Sequence, residues 1–167
     1  MSPLRPDLVD CWVFRSAAPE PEVLLLRRAP GRILPGLWQC VSGSVDGGER
    51  IAAATLRELD EETGFGPAAI DAFYDLDLVN QFHEPSYDAI VSAAVFAVRI
   101  GAGREVRLSH EHDGSRWLPL GLAHGEVVWP GYRTALERIR DDLGDPDRAP
   151  WFELTLTGER RERPALQ

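Results

Sequence analysis

The chain has 167 residues and is therefore long enough for one domain with a substantial core. Its composition, with 44% hydrophobic and 27% charged residues, excludes a disordered protein. Its formal net charge of -9 argues against a nonspecific nucleic-acid or membrane partner. Cys11 and Cys40 stand in apolar stretches without metal-ligand spacing, which indicates buried reduced thiols. Because there is no signal core and no apolar run of transmembrane length, we expect a cytoplasmic protein.

The first half of the chain predicts strands followed by a helix. Residues 8–14 and 22–28 are apolar runs separated by small residues and prolines, which is typical of two paired strands. Residues 29–36 are rich in glycine and proline and predict a loop, after which residues 37–45 resume a strand pattern. Residues 51–63 are dominated by good helix formers and are followed by a glycine, so they predict a helix with a defined end.

The second half predicts more strands and a second helix. The predicted strands cover residues 72–82, 88–100, 105–109 and 115–120, and the helix covers residues 130–143. Strands that surround one helix and precede another indicate an α/β protein. We find no linker or repeat, so we expect one domain over residues 1–167, with only the last few residues loose.

The predicted helix over residues 51–63 carries a cluster of acids. At about 100° per residue, Ala52, Leu56 and Leu59 share one face, and Glu58, Glu61 and Glu62 occupy an arc roughly opposite. Like charges four residues apart in the C-terminal half of a helix repel one another and the helix dipole. The pattern indicates either a solvated acidic face or a site for a hard divalent cation such as Mg²⁺ or Mn²⁺.

The residues around these acids decide between the two interpretations. The segment GSVDGGERIAAATLRELDEETGF fits the pattern Gx5Ex7REUxEExGU, in which U is a bulky apolar residue, at Gly43, Glu49, Arg57, Glu58, Leu59, Glu61, Glu62, Gly64 and Phe65. This segment resembles the catalytic motif of the Nudix hydrolases, the Nudix box. The resemblance implies the Nudix fold, an α/β/α sandwich with a mixed sheet in which the box forms a loop, a helix and a loop.

The resemblance also implies roles for individual residues. Glu58, Glu61 and Glu62 would ligate Mg²⁺, for which Mn²⁺ can substitute, and a main-chain carbonyl of Ser42 or Gly43 would add a further ligand. Arg57 and Glu49 would form an ion pair that holds the helix and its loop in register. Many Nudix members use one more acid on a loop facing the metal, as a base or as an additional ligand. Glu111 is our candidate for this acid and Asp113 the fallback, although a solvated loop glutamate is the alternative.

The segments beside the box, WQCVSGSVDGGE and SHEHDGSRWLPL, look like those of Nudix proteins of the dihydroneopterin triphosphate and dATP pyrophosphohydrolase type. The expected reaction is therefore Mg²⁺-dependent cleavage of a nucleoside or pterin triphosphate into a monophosphate and pyrophosphate. Dinucleoside polyphosphates and oxidised nucleotides are the alternative substrates. A non-catalytic nucleotide sensor is the alternative of a different class, and a homodimer is an expectation from the family.

Residues outside the box are candidates for binding the substrate. Arg27, Arg28 and Arg32 lie at or after the end of the second predicted strand, where they could grip phosphates or simply solvate a strand edge. Trp38, Phe82 and Tyr87 could stack on a base or pterin ring, although core packing is the more frequent role of aromatic residues.

Overall fold

The computed structural model of the protein describes residues 4–162, so the loose C-terminal end expected from the sequence lies largely outside the described residues. The strands are β1 (Leu8–Arg15), β2 (Glu22–Arg28), β3 (Trp38–Gln39), β4 (Val41–Ser44), β5 (Ile70–Glu84), β6 (Ala89–Ile100), β7 (His112–Pro119) and β8 (Glu153–Leu154). The α-helices are α1 (Ile51–Thr63), α2 (Leu120–Glu126) and α3 (Pro130–Arg138), and a π-helical turn, Ile139–Leu143, continues α3. Short 3-10 turns occupy Pro67–Ala69 and Ala149–Trp151.

The strands form a mixed sheet in the order β3-β2-β1-β6-β5-β8. The pairing of β1 with β6 is parallel, whereas the other strand pairs are antiparallel. One edge of β1 is shared: its last residues pair with β2, and its first four residues, Leu8 to Cys11, pair with β4. This split places β4, which precedes α1, beside the start of β1.

Helices cover both faces of the sheet, which confirms the predicted α/β/α sandwich. Along β1 the buried side chains alternate, so that Cys11 and Val13 face α1 while Trp12 and Phe14 face α2 and α3. Cys11 and Cys40 are both buried and free, as predicted. Within residues 4–162, no helix is long and apolar enough to cross a membrane.

Helix α1 has the bounds that the sequence predicts, and Gly64 ends it with a left-handed φ of 75°. The prediction that its three acids lie opposite the packed face is wrong for Glu62. This residue is only 3% exposed and therefore belongs to the buried side of the helix. The reason is angular: three residues turn the helix by about 300°, which places Glu62 only about 60° from Leu59.

Two other elements differ from the predictions. Residues 105–109 are not a strand, because the main-chain N–H of Arg107 donates to the Thr63 carbonyl at 2.8 Å and draws this segment over the end of α1. Helix α2 was not predicted, since its sequence LGLAHGE contains two glycines. Burial of Leu120 and Ala123 against the sheet compensates for that low helix propensity.

The packing of α1 on the sheet depends on Leu59, which is fully buried. Replacing Leu59 with alanine leaves a cavity, so we expect it to lower the free energy of unfolding by about 2–5 kcal/mol in urea denaturation. Leu122 is 63% exposed and serves as a matched leucine control. Leu122→Ala should cost about 0.5 kcal/mol or less, and equal losses in the two variants would contradict the assigned packing.

Candidate active site

The Arg57 guanidinium connects the loop before α1 to the helix itself. It binds both carboxylate oxygens of Glu49, with Nε to Oε1 at 3.0 Å and Nη2 to Oε2 at 3.1 Å. Its Nη2 also donates to the main-chain carbonyl of Ser44 at 2.9 Å, at the end of β4. The ion pair that the resemblance implies is therefore present, and it ties three segments of the box together.

Arg57 also contacts two of the clustered acids. Its Nη1 lies 2.8 Å from Glu58 Oε1 and 3.3 Å from Glu61 Oε2. Hydrogen bonds from Arg57 hold the pKa of Glu49 below its usual value, and the contact with Glu49 raises the pKa of Arg57. Glu49 thus stays ionised and paired, which suits a residue that holds the loop rather than one that exchanges protons.

Gly43 leaves the space that the Glu58 carboxyl group occupies. A Cβ atom at Gly43 would lie 1.9 Å from Glu58 Cδ and 2.3 Å from each carboxylate oxygen, closer than any real contact. The Glu58 side chain is 13% exposed, so it is held against β4 rather than extended into solvent. Gly43 is therefore needed for the Glu58 carboxyl group to lie against the main chain of β4.

Glu62 is a buried carboxyl group that forms no ion pair among residues 4–162, although the charge of the nearby Arg28 acts to lower its pKa. Burial raises its pKa to about 8, and the charges of Glu58 and Glu111 add to this effect. The main-chain N–H of Ser42 donates to the carboxylate and acts in the opposite direction. Glu62 Oε2 has no hydrogen-bond partner among residues 4–162. An ionised Glu62 therefore lacks the interactions that normally offset the cost of burying a charge.

The site offers oxygen ligands for a divalent cation. Glu58 and Glu62 lie against consecutive residues of β4, whereas Glu61 is turned toward Arg57 and has a side chain 58% exposed. Within residues 4–162, no group of three or more His, Cys, Asp or Glu side chains is gathered as a preformed cation site. The unpartnered Glu62 oxygen and the main chain of Ser42 and Gly43 nevertheless fit a hard cation, which prefers carboxylate and carbonyl oxygen.

Glu111 lies in the turn before β7 and faces this cluster. Its carboxylate forms an ion pair with Arg32, and its carbonyl accepts a hydrogen bond from the main-chain N–H of Ala29 at 2.9 Å. The charge of Glu111 raises the pKa of both Glu58 and Glu62. Asp113, the fallback acid, instead binds Arg27 Nε at 2.7 Å. Of the two acids, Glu111 is thus the one positioned beside the cluster.

The predicted phosphate-binding arginines are all engaged within the protein. Arg28 Nε donates to the Ile33 carbonyl, and its Nη1 lies 3.3 Å from Gln39 Oε1. Gln39 Nε2 lies in turn 3.3 Å from His112 Nε2, and both of these side chains are buried. Sequence reasoning missed Gln39 and gave His112 no role, because neither belongs to a recognisable motif.

The predicted ring-stacking residues fall into two separate places. Trp38 is covered by arginines, with Arg116 at 3.9 Å and Arg27 at 5.6 Å from its ring centroid. Phe82 and Tyr87 lie at the β5–β6 hairpin and are 41% and 76% exposed. They line a cavity of about 380 Å³ to which Ser44 also contributes.

Asp10 was not predicted as a site residue, yet it is a buried acid close to β4. It is 4% exposed, and burial raises its pKa to about 6, while hydrogen bonds from the side chains of Ser42 and Asn80 lower it. The sequence did offer a signal for Asp10, since it is a single acid within the apolar run LVDCWVF. An acid is rarely buried in a strand unless its carboxyl group is paired.

The fold and the site define a class: an α/β/α sandwich in which a short strand, a loop and one helix bring acidic side chains to a buried edge. The family profile described as NUDIX domain matches residues 4–139. The chain therefore belongs to the Nudix hydrolase family, as the sequence motif implied.

The chain is also similar to three known proteins. It is 35% identical over 132 residues to an octanoyltransferase of Myxococcus xanthus, a match that covers 78% of this chain. The chain spans only 35% of the length of that relative. Its structure is similar to that of C. elegans Ap4A hydrolase, with a TM-score of 0.70 and 23% identity over 82% of this chain and 96% of the other. It also resembles E. coli dihydroneopterin triphosphate pyrophosphohydrolase, with a TM-score of 0.68 and 23% identity over 80% and 94%.

The close approach of Glu58 to Gly43 is open to a direct test. Gly43→Ala places a methyl group where the Glu58 carboxyl group lies, so we expect Mn²⁺ binding, measured by electron paramagnetic resonance, to weaken about 10- to 100-fold. Gly47 lies in the same loop with nothing within 4 Å of its added Cβ, so Gly47→Ala is the matched control. Equal Mn²⁺ affinities in the two variants would show that the space above Gly43 is not needed.

The burial of Glu62 predicts how the stability of the metal-free protein depends on pH. Its pKa rises from an ordinary value of 4.5 to about 8 on folding, so the folded state binds more protons than the unfolded state between these values. Stability in chelator should therefore fall as pH rises from about 5 to about 8. Glu62→Gln should flatten this slope in urea unfolding, and Asp60→Asn, at an exposed acid of the same helix, should not. A slope that persists unchanged in Glu62→Gln would be evidence against the assignment.

Proposed function

We propose that the protein is a Mg²⁺-dependent pyrophosphohydrolase that cleaves a nucleoside or pterin triphosphate into a monophosphate and pyrophosphate. The observation that carries this proposal is the pair formed by Glu58 and Glu62 against β4. Their carboxyl groups approach Gly43 and Ser42, and Glu62 Oε2 is buried without a partner. A hard divalent cation would supply the positive charge that this arrangement lacks.

The ligands in this proposal are Glu58 and Glu62, with a main-chain carbonyl of Ser42 or Gly43. Glu61 would join them by releasing its 3.3 Å contact with Arg57. Glu111 would serve from a separate loop, either as a further oxygen ligand or as the base. Mn²⁺ substitutes for Mg²⁺ because the donors are all oxygen. When bound, the cation activates water and stabilises the departing phosphate.

The remaining steps belong to residues of the chain. Glu111 is the candidate base, since it lies beside Glu58 and Glu62 on a separate loop and can accept a proton from the attacking water. Arg57 and Glu49 hold the loop and α1 in register, so that Glu58 and Glu62 keep their positions as charge builds up on the phosphates. Arg28 and Arg32, near the same cluster, are the candidates for phosphate binding.

The choice of substrate is supported by resemblance. The sequences beside the box look like those of the dihydroneopterin triphosphate and dATP pyrophosphohydrolase type, and the fold is similar to that of the E. coli enzyme acting on dihydroneopterin triphosphate. In this proposal Arg27 binds the distal phosphates with Arg28 and Arg32. The ring binds either at Trp38 or at Phe82 and Tyr87, since these two places are separate. The comparable similarity to C. elegans Ap4A hydrolase supports dinucleoside polyphosphates as the second candidate.

A non-catalytic nucleotide sensor is the competing function, and the completeness of the box argues against it. Every acid of the pattern is present, and Glu62 is kept buried although an apolar residue would cost less at that position. The cytoplasmic location and the homodimer stay predictions.

The test is phosphorus NMR of the products from a Mg²⁺-supplemented substrate panel. The panel contains dihydroneopterin triphosphate, canonical and oxidised nucleoside triphosphates, diadenosine tetraphosphate and ADP-ribose. We expect pyrophosphate from a triphosphate, no turnover in chelator, and recovery with Mg²⁺ or Mn²⁺. Glu62→Gln should lower turnover by about 100-fold or more because it removes the charge of a metal ligand at nearly constant size.

The control for this variant is Asp60→Asn, which changes an exposed acid on the same helix and should retain wild-type turnover. Cleavage of a dinucleotide or of ADP-ribose alone would keep the metal site but replace the proposed substrate. Binding without cleavage across the panel would favour the sensor, and wild-type turnover in Glu62→Gln would refute the assignment of the metal ligands.

A further inference from the structure

Two buried carboxyl groups bind the same residue of β4 from opposite faces of the sheet. Glu62 accepts a hydrogen bond from the main-chain N–H of Ser42, and Asp10 accepts one from the Ser42 side chain. Both acids are nearly inaccessible, with exposures of 3% and 4%. Ser42 therefore connects the cluster beside α1 to an acid that itself lies outside the box.

Asp10 is held by neutral donors. It is the Cα partner of Ser42 in the antiparallel pairing of β1 with β4, and Asn80 Nδ2 lies 3.5 Å from its Oδ2. The Asn80 amide in turn lies close to the start of α3, since a Cβ atom at Gly131 would be 2.3 Å from Asn80 Oδ1. A carboxyl group buried in this way costs stability unless its contacts serve another purpose.

We propose that Asp10 is a positioning residue of the metal site, which acts through Ser42 to fix the main chain of Ser42 and Gly43 beneath Glu58 and Glu62. This inference rests on the proposed function, because it assigns Asp10 a role toward the cation that Glu58 and Glu62 would hold.

The geometry explains why this main chain needs an anchor. Strand β4 has four residues and follows β3 after one residue, so few ladder hydrogen bonds hold it. Gly43 has no side chain, and its Cα must stay directly beneath the Glu58 carboxyl group. A small displacement of Ser42 would move both the N–H that binds Glu62 and the surface on which Glu58 lies. The Ser42 hydroxyl bound to Asp10 is the side-chain contact that resists this movement.

The inference can be tested by Mn²⁺ binding, which is measured by electron paramagnetic resonance and does not depend on turnover. We expect Asp10→Val and Ser42→Ala each to raise the Kd for Mn²⁺ about tenfold, the effect of removing an outer partner of a ligand. The double variant should be no weaker than either single variant, because both changes break one contact. Asp10→Asn keeps an oxygen acceptor for the Ser42 hydroxyl, so its Kd should stay within about threefold of wild type.

A structural role for Asp10 would give a different result. The free energy of unfolding in urea would then fall in Asp10→Val while the Kd for Mn²⁺ stayed unchanged, and this outcome would overturn the proposal. Additive effects of Asp10→Val and Ser42→Ala on the Kd in the double variant would also overturn it. Asp7→Asn is the matched control, since Asp7 also accepts hydrogen bonds from a serine, Ser92, but is exposed. It should bind Mn²⁺ like wild type.

The Mn²⁺ affinities of Ser42→Ala and Glu62→Gln resolve two remaining ambiguities. If Asp10→Val does not fold, Ser42→Ala alone decides, since it leaves Asp10 in place, and an unchanged Kd in that variant overturns the proposal. Glu62→Gln separates this inference from the proposed function. Loss of Mn²⁺ binding in Glu62→Gln with wild-type binding in Asp10→Val refutes the role of Asp10 alone, whereas a wild-type protein that binds no Mn²⁺ refutes both.

Discussion

The Arg57 guanidinium is the interaction on which the arrangement of the box depends. Three acids in the second half of α1 repel each other and the negative end of the helix dipole, and Arg57 is the cation that contacts two of them. The same group binds Glu49 and the Ser44 carbonyl, so it also determines where the loop and β4 lie relative to the helix. Charge compensation and chain geometry are therefore provided by one side chain.

Arg57 neutralises the charges of the box glutamates to different extents, and this difference distinguishes the role of Glu49 from that of Glu62. Glu49 is bound by two guanidinium nitrogens and has a lowered pKa, whereas burial raises the pKa of Glu62 to about 8. The pKa values of two glutamates of one motif thus shift in opposite directions, because Glu49 is bound by a cation and Glu62 is buried in the protein interior. The charge that the fold leaves uncompensated is at Glu62, which is where a metal ligand is expected. Under the proposed function, a bound cation would offset the cost of burying this carboxyl group.

Periodicity and composition predicted α1 to the residue and most of the strands, because those segments have strong local preferences and buried alternating side chains. They failed where tertiary contacts outweigh local preference. Residues 105–109 look like a strand but cover the end of α1, and α2 forms despite two glycines because Leu120 and Ala123 are buried. The motif predicted the acids of the candidate site, but it could not show that Glu62 is buried or that Glu61 turns to Arg57. Those facts depend on neighbours distant in sequence.

With a net charge of -9, the protein would need locally concentrated positive charge to bind the proposed polyphosphate substrate. Arg27 is paired with Asp113, and Arg32 with Glu111, so both guanidinium groups are held in place before any ligand arrives. A phosphate that reaches Arg32 must share it with Glu111 or displace that carboxylate. Displacement would leave Glu111 free beside Glu58 and Glu62. In an acidic protein, such ion pairs hold the arginines in one orientation. They also make binding selective, because an anion must interact with the arginine more strongly than the carboxylate that it displaces.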